Sequence, residues 1–178
     1  MQTPTNQSDI SDDILDNGPS ADEIKEVERL YAQICSPEHI AKHILHDAKI
    51  TQLPVNLYQI ADSIGITVSE NWNPNNSDNL MGTVKGNQIV INPNCPNKRF
   101  ALAFILCDLI CQDTMPNYHD FIQDPDKWLT HLALAVLMPK QKFITKYNSG
   151  ETCENIAADF DVANRDFGRR LATLNYLL

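Results

Sequence analysis

The chain has 178 residues, of which 43% are hydrophobic and 21% charged, with 14 Lys and Arg against 23 Asp and Glu for a net charge of −9. That balance excludes a disordered or fibrous chain, and the length suits one domain with a small appendage. The acidity is uneven: residues 1–30 hold eight of the acids and two of the bases. It is therefore a property of the N-terminal part, and a broadly basic nucleic-acid groove is not expected elsewhere.

No run of apolar residues is long enough to span a membrane, and the polar, acidic N-terminus lacks the pattern of a signal peptide. Five cysteines, Cys35, Cys95, Cys107, Cys111 and Cys153, are an odd number. Free thiols in a reducing cytoplasm are the expectation.

Residues 1–20 are rich in Asp, Ser, Asn and Pro and read as a disordered acidic tail, which leaves 21–178 for the domain. Ser20 and Glu23 form a capping-box pattern, and Ile24, Val27, Leu30, Tyr31 and Ile34 follow at helical spacing. Ser36-Pro37 opens a second helix, with Ile40, Ile44, Leu45 and Ala48 along one side. A third is expected to begin at Pro54 and stop at Gly65. Ile66-Thr67-Val68 reads as a strand, Asn71 to Asn79 as a loop, and Leu80–Val84 with Gln88–Asn92 as a hairpin about Lys85-Gly86-Asn87. Arg99 to Cys111 is apolar on every side except at Asp108, which predicts the central buried helix. An acidic loop, a helix from Asp126 to Met138 stopped by Pro139, and a closing helix pair within 152–176 complete the order.

These blocks, in this order, resemble the ImmA/IrrE family of small zinc-dependent peptidases. The residues that carry the resemblance are Pro54-Val55-Asn56-Leu57-Tyr58-Gln59-Ile60-Ala61, Gly65-Ile66-Thr67-Val68, Ile89-Val90-Ile91-Asn92, Arg99-Phe100-Ala101-Leu102-Ala103 and Val136-Leu137-Met138-Pro139. Ile156 to Val162, running on to Arg170-Leu171, is similar to the family's closing helices. The resemblance covers about residues 50 to 176 and implies an α+β, zincin-like fold: a small antiparallel sheet packed on a helical body, closed by the C-terminal helix pair.

The family's His-Glu-x-x-His is not kept. In a zincin two His at i and i+4 bind zinc and the intervening Glu is the general base. Aligned on Arg99-Phe100, those positions hold Phe104, Ile105 and Asp108, and the third-ligand Glu becomes Asp126. A phenyl ring and a branched alkyl group neither bind metal nor move protons, so no conventional zinc peptidase chemistry is expected. The resemblance then implies a catalytically degenerate regulator that works by binding, for instance to a helix-turn-helix repressor of a phage, mobile element or stress response, with Asp108, Asp126 and His131 as groove candidates and no cofactor.

Two alternatives stand beside it. Cys107, Asp108 and Cys111 share one helical face and could, with Asp126 or His131, form an atypical Zn or Mn site; the plainer reading makes both cysteines core residues. Asp108, if buried, needs a partner, for which His131 or a backbone N–H is the candidate. The closing helix pair could instead bind DNA through Asn164, Arg165, Arg169 and Arg170, although a packing role is favoured. His39, His43 and His46 form a stripe read as solvated, as are the loop acids Asp113, Asp120, Asp124 and Asp126. Cys95 has no neighbouring His to activate it as a nucleophile.

Overall fold

A computed structural model describes residues 20–70 and 81–175. The expected tail, the loop Asn71 to Asn79 and the end of the chain beyond 175 lie outside these. The chain divides into two units, Met1–Ile34 and Cys35–Leu178. In the first, helix α1 (Ala21–Ile34) starts at the expected capping box. The Ser20 backbone N–H donates to Glu23 at 2.7 Å and the Glu23 N–H to the Ser20 hydroxyl at 3.3 Å. Ile24, Val27, Leu30 and Ile34 are exposed along it.

The second unit is mixed α+β. Helix α2 (Pro37–Asp47) is capped by Ser36, and α3 (Leu57–Ser63) by Asn56, whose side chain takes the N–H of Tyr58 and Gln59. The expectation that α3 begins at Pro54 is corrected by this cap: Asn56 ends the preceding turn and the first helical residue is Leu57.

Strands β1 (Thr67–Ser69), β2 (Gly82–Lys85) and β3 (Gln88–Ile91) form one sheet in the order β1-β3-β2. A two-residue turn with Gly86 at φ 55° joins β2 to β3, and Lys85 faces Gln88 across it. β1 pairs with the other edge of β3 in parallel, Val68 opposite Ile89. The sheet is thus mixed, not antiparallel as expected. β3 is central, with β2 antiparallel on one edge and β1 parallel on the other. Centrality matches composition, since Ile89, Val90 and Ile91 are all buried.

Helix α4 (Lys98–Thr114) is followed by the short α5 (Tyr118–Phe121) and by α6 (Pro125–Leu137). α4 is not the central helix. Ala101, Leu102, Ala103, Leu106, Cys107 and Cys111 are buried, while Phe104, Ile105, Asp108, Leu109 and Ile110 are only half-buried. α6 takes the central place instead: Leu132 through Met138 are all buried, and the helix packs on α2 and α4. The small side chains Ala133 and Ala135 allow that close approach.

Helix α7 (Lys140–Asn148) starts directly after Pro139, and α8 (Cys153–Asp159) and α9 (Asn164–Asn175) form the expected closing pair. Among the described residues no helix is long and apolar enough to cross a membrane.

Candidate functional site

The positions that the resemblance assigns to catalysis lie on one side of α4. Asn97 caps the helix by accepting the N–H of Phe100 at 3.1 Å, and Arg99 ties the first turn to the Val55 carbonyl at 2.8 Å. One turn further on, Phe104 and Ile105 are half-buried and pack against the hydrophobic core. Ile105 lies beneath β2. A Cβ added to Gly82 would stand 2.7 Å from the Val90 carbonyl oxygen of the neighbouring strand, an approach only glycine permits, and 3.3 Å from the Ile105 Cδ1, a tight contact with the helix.

Asp108 is half-buried and hydrogen-bonded through one oxygen. Its Oδ1 accepts the Tyr118 hydroxyl at 2.8 Å and the Gln112 side-chain amide at 2.9 Å. Tyr118, only 3% exposed, stands between His119 and Trp128, with ring centroids 4.0 and 5.7 Å away. Burial pushes the Tyr118 hydroxyl well above its ordinary range, and the hydrogen bond to Asp108 adds to this. The expected partner of Asp108 was His131 or a backbone N–H; the structure supplies Tyr118 and Gln112.

Behind the carboxylate, Cys107 and Cys111 are buried. Burial, with the neighbouring Asp108 charge, pushes the Cys111 thiol up to about 12, and Cys107 is raised by burial, then by Cys111 and Asp108. Asp126 is exposed, near enough for its charge to act on Tyr118. His131 belongs elsewhere: its pKa is lowered by burial and by Lys127 and Arg170, against the opposing pull of Asp124 and Glu38. Asp108 and Asp126 are thus brought toward one tyrosine, and His131 is not.

Phe104 and Ile105 offer no donor atom to a zinc ion, and one Asp108 oxygen is taken by Tyr118 and Gln112. Among the described residues no three His, Cys, Asp or Glu side chains are grouped as a metal would need.

The remaining candidates fall as follows. His39 and His43 face each other with Nε2 atoms 3.0 Å apart, and His46 stands beside Asp47 at 3.1 Å. Asp113, Asp120 and Asp124 are exposed, Asp124 accepting the Lys127 N–H as the cap of α6. Cys95 is half-buried. Asn164, Arg165 and Arg169 are exposed, but Arg170 is wholly buried and cannot meet DNA. Its Nε donates to the Met138 carbonyl at 3.0 Å, and its guanidinium forms a two-pronged pair with Glu38.

Sequence reasoning missed Tyr118, Gln112 and Glu38. Gln112 was within reach as the i+4 neighbour of Asp108. Nothing in the spacing marked the other two.

No family model, no curated protein and no solved structure matches the chain.

Proposed function

We propose that the protein is a non-catalytic, zincin-like relative of the ImmA/IrrE peptidases that acts in the cytoplasm by binding another protein, a helix-turn-helix repressor being the partner class. The single observation that carries this reading is the chemistry at the α4 positions. Where the family holds two imidazoles and a general base, this chain holds Phe104 and Ile105, one of them packed beneath β2, and a carboxylate tied to Tyr118 and Gln112. Such a surface can bury a partner's side chain but cannot activate water. The exposed apolar side chains of α1, set on a helix otherwise rich in Glu, offer a second element of the kind that lies in a partner's groove. Acidic residues around that helix suit the basic face of a DNA-binding protein.

Affinity purification of the full chain from its native host, with mass spectrometry of the retained proteins, tests the reading. Recovery of a DNA-binding regulator, reduced by Phe104→Ser or Val27→Asp and left intact on incubation with the purified chain and added zinc, is the expected result. Cleavage of that partner, or its equal retention by both variants, contradicts it.

A further inference from the structure

Away from the α4 surface, the start of α2, one face of α6, the first residue of α7 and one face of α9 enclose a cavity of about 810 Å3. The cavity is built from two kinds of surface. Pro37, Leu134 and Ala172 supply apolar wall, and Lys127, Lys140 and Arg169 bring three cations from three different helices. Glu38 is the acid at the wall, and it is consumed by the buried guanidinium of Arg170. Neither Lys127 nor Lys140 has a carboxylate within 4.0 Å among the described residues, and Arg169 has Asp166 at 3.8 Å. Asp166 is itself buried and accepts a hydrogen bond from Asn97.

Three cationic side chains thus line one cavity in a chain whose net charge is −9. Like charges held around a low-dielectric concavity create a focused positive potential, which an anion relieves. The N-terminus of the 11-residue α2 at the same wall adds to that potential. His131, which also lines the cavity, is kept neutral by burial and the surrounding cations, so it offers a hydrogen-bonding ring and not a fourth charge.

We propose that this cavity binds an organic anion, with a phosphate or carboxylate headgroup held by Lys127, Lys140 and Arg169 and an apolar body resting on Pro37 and Ala172. The site is independent of the α4 surface and of the partner proposed for it. A small ligand here bridges α6, α7 and α9, of which α9 is also tied to the end of α6 by the Arg170 contact to the Met138 carbonyl.

Calorimetric titration of the full chain with phenyl phosphate, benzoate and inorganic phosphate tests the assignment. Saturable binding of phenyl phosphate or benzoate, about tenfold tighter than inorganic phosphate and about tenfold weaker in Lys127→Ala/Lys140→Ala/Arg169→Ala, is expected. The better of the two organic probes identifies the headgroup. Should the triple variant fold poorly by circular dichroism, Ala172→Glu, an exposed change that places an anion in the cavity, is expected to abolish binding with the cations intact. Absence of saturable binding of both organic probes overturns the proposal, as does unchanged affinity in the folded variants. Inorganic phosphate binding as tightly as phenyl phosphate removes the role assigned to the apolar wall.

Discussion

Asp108 and Tyr118 form the most consequential pair of side chains in the second unit. A carboxylate on a largely apolar helix must find a donor, and the buried phenol provides one at 2.8 Å while gaining an acceptor for itself. Tyr118→Phe removes the hydroxyl and keeps the ring packing, so a loss of roughly 1.5–3 kcal/mol, the range for hydrogen bonds to charged groups, is expected in urea unfolding. A loss within experimental error would show that Gln112 and water satisfy Asp108 alone.

The same neighbourhood sets an alkaline limit on stability. Cys107, Cys111 and Tyr118 all have folded-state pKa values above the ordinary 9.0 and 10.0 of free thiol and phenol, chiefly through burial. Above about pH 9 the unfolded chain releases protons that the folded chain retains, so the stabilising contribution is complete below that pH and declines as pH rises toward the folded values. Urea midpoints are expected to fall between about pH 7.5 and about pH 10.5, with a shallower fall in Tyr118→Phe. A midpoint that is flat or rises over that interval contradicts the buried, protonated placement of these groups.

At the scale of elements, Arg170 is the clearest case of a basic side chain used for packing. The Asn164–Arg170 stretch carries basic residues at helical spacing, for which a surface for phosphates was the alternative to the favoured packing role. In the fold, Arg170 is 0% exposed and joins α9 to the start of α2 and the end of α6. Glu38→Gln leaves that guanidinium without its counter-charge. The expected cost is roughly 3 kcal/mol, the low end for breaking a buried pair because Glu38 itself keeps 22% of its side-chain exposure. A change under about 0.5 kcal/mol in urea unfolding, typical of surface substitutions, would place the pair outside the cooperative core.

Element boundaries were legible where a local signal exists: the Ser20–Glu23 box, Pro37 after Ser36 and Thr152 before α8 each mark a helix start in the structure. α7 was not legible. Its polar run Lys140–Asn148 buries only Phe143, and Pro139 reads equally well as a stop for α6 and as the residue before a new helix. Strand pairing was also out of reach, because alternation along β1 carries no record of which edge of the hairpin it meets. At the site, Asp108 stood out as the lone interior charge of the Arg99–Cys111 stretch. Tyr118 did not, because a turn with Asn117 at φ 68° brings it back and no periodicity encodes that turn.

At the scale of the whole molecule, charge is segregated. The N-terminal thirty residues hold much of the acid, while three cations gather at a single cavity between α6, α7 and α9. The α4 positions Phe104 and Ile105, between them in sequence, carry no metal donor. The binding role proposed above draws on this distribution: the acidic N-terminal part and the basic cavity suit partners of opposite sign.

Elemental analysis of the full chain, purified without chelator, tests that claim most directly. A zinc and manganese content far below stoichiometric, unchanged in Asp108→Ala, is the expected result. About one equivalent of either metal in the native chain, lost in Asp108→Ala, would establish a built metal site at α4 and contradict the binding-only account.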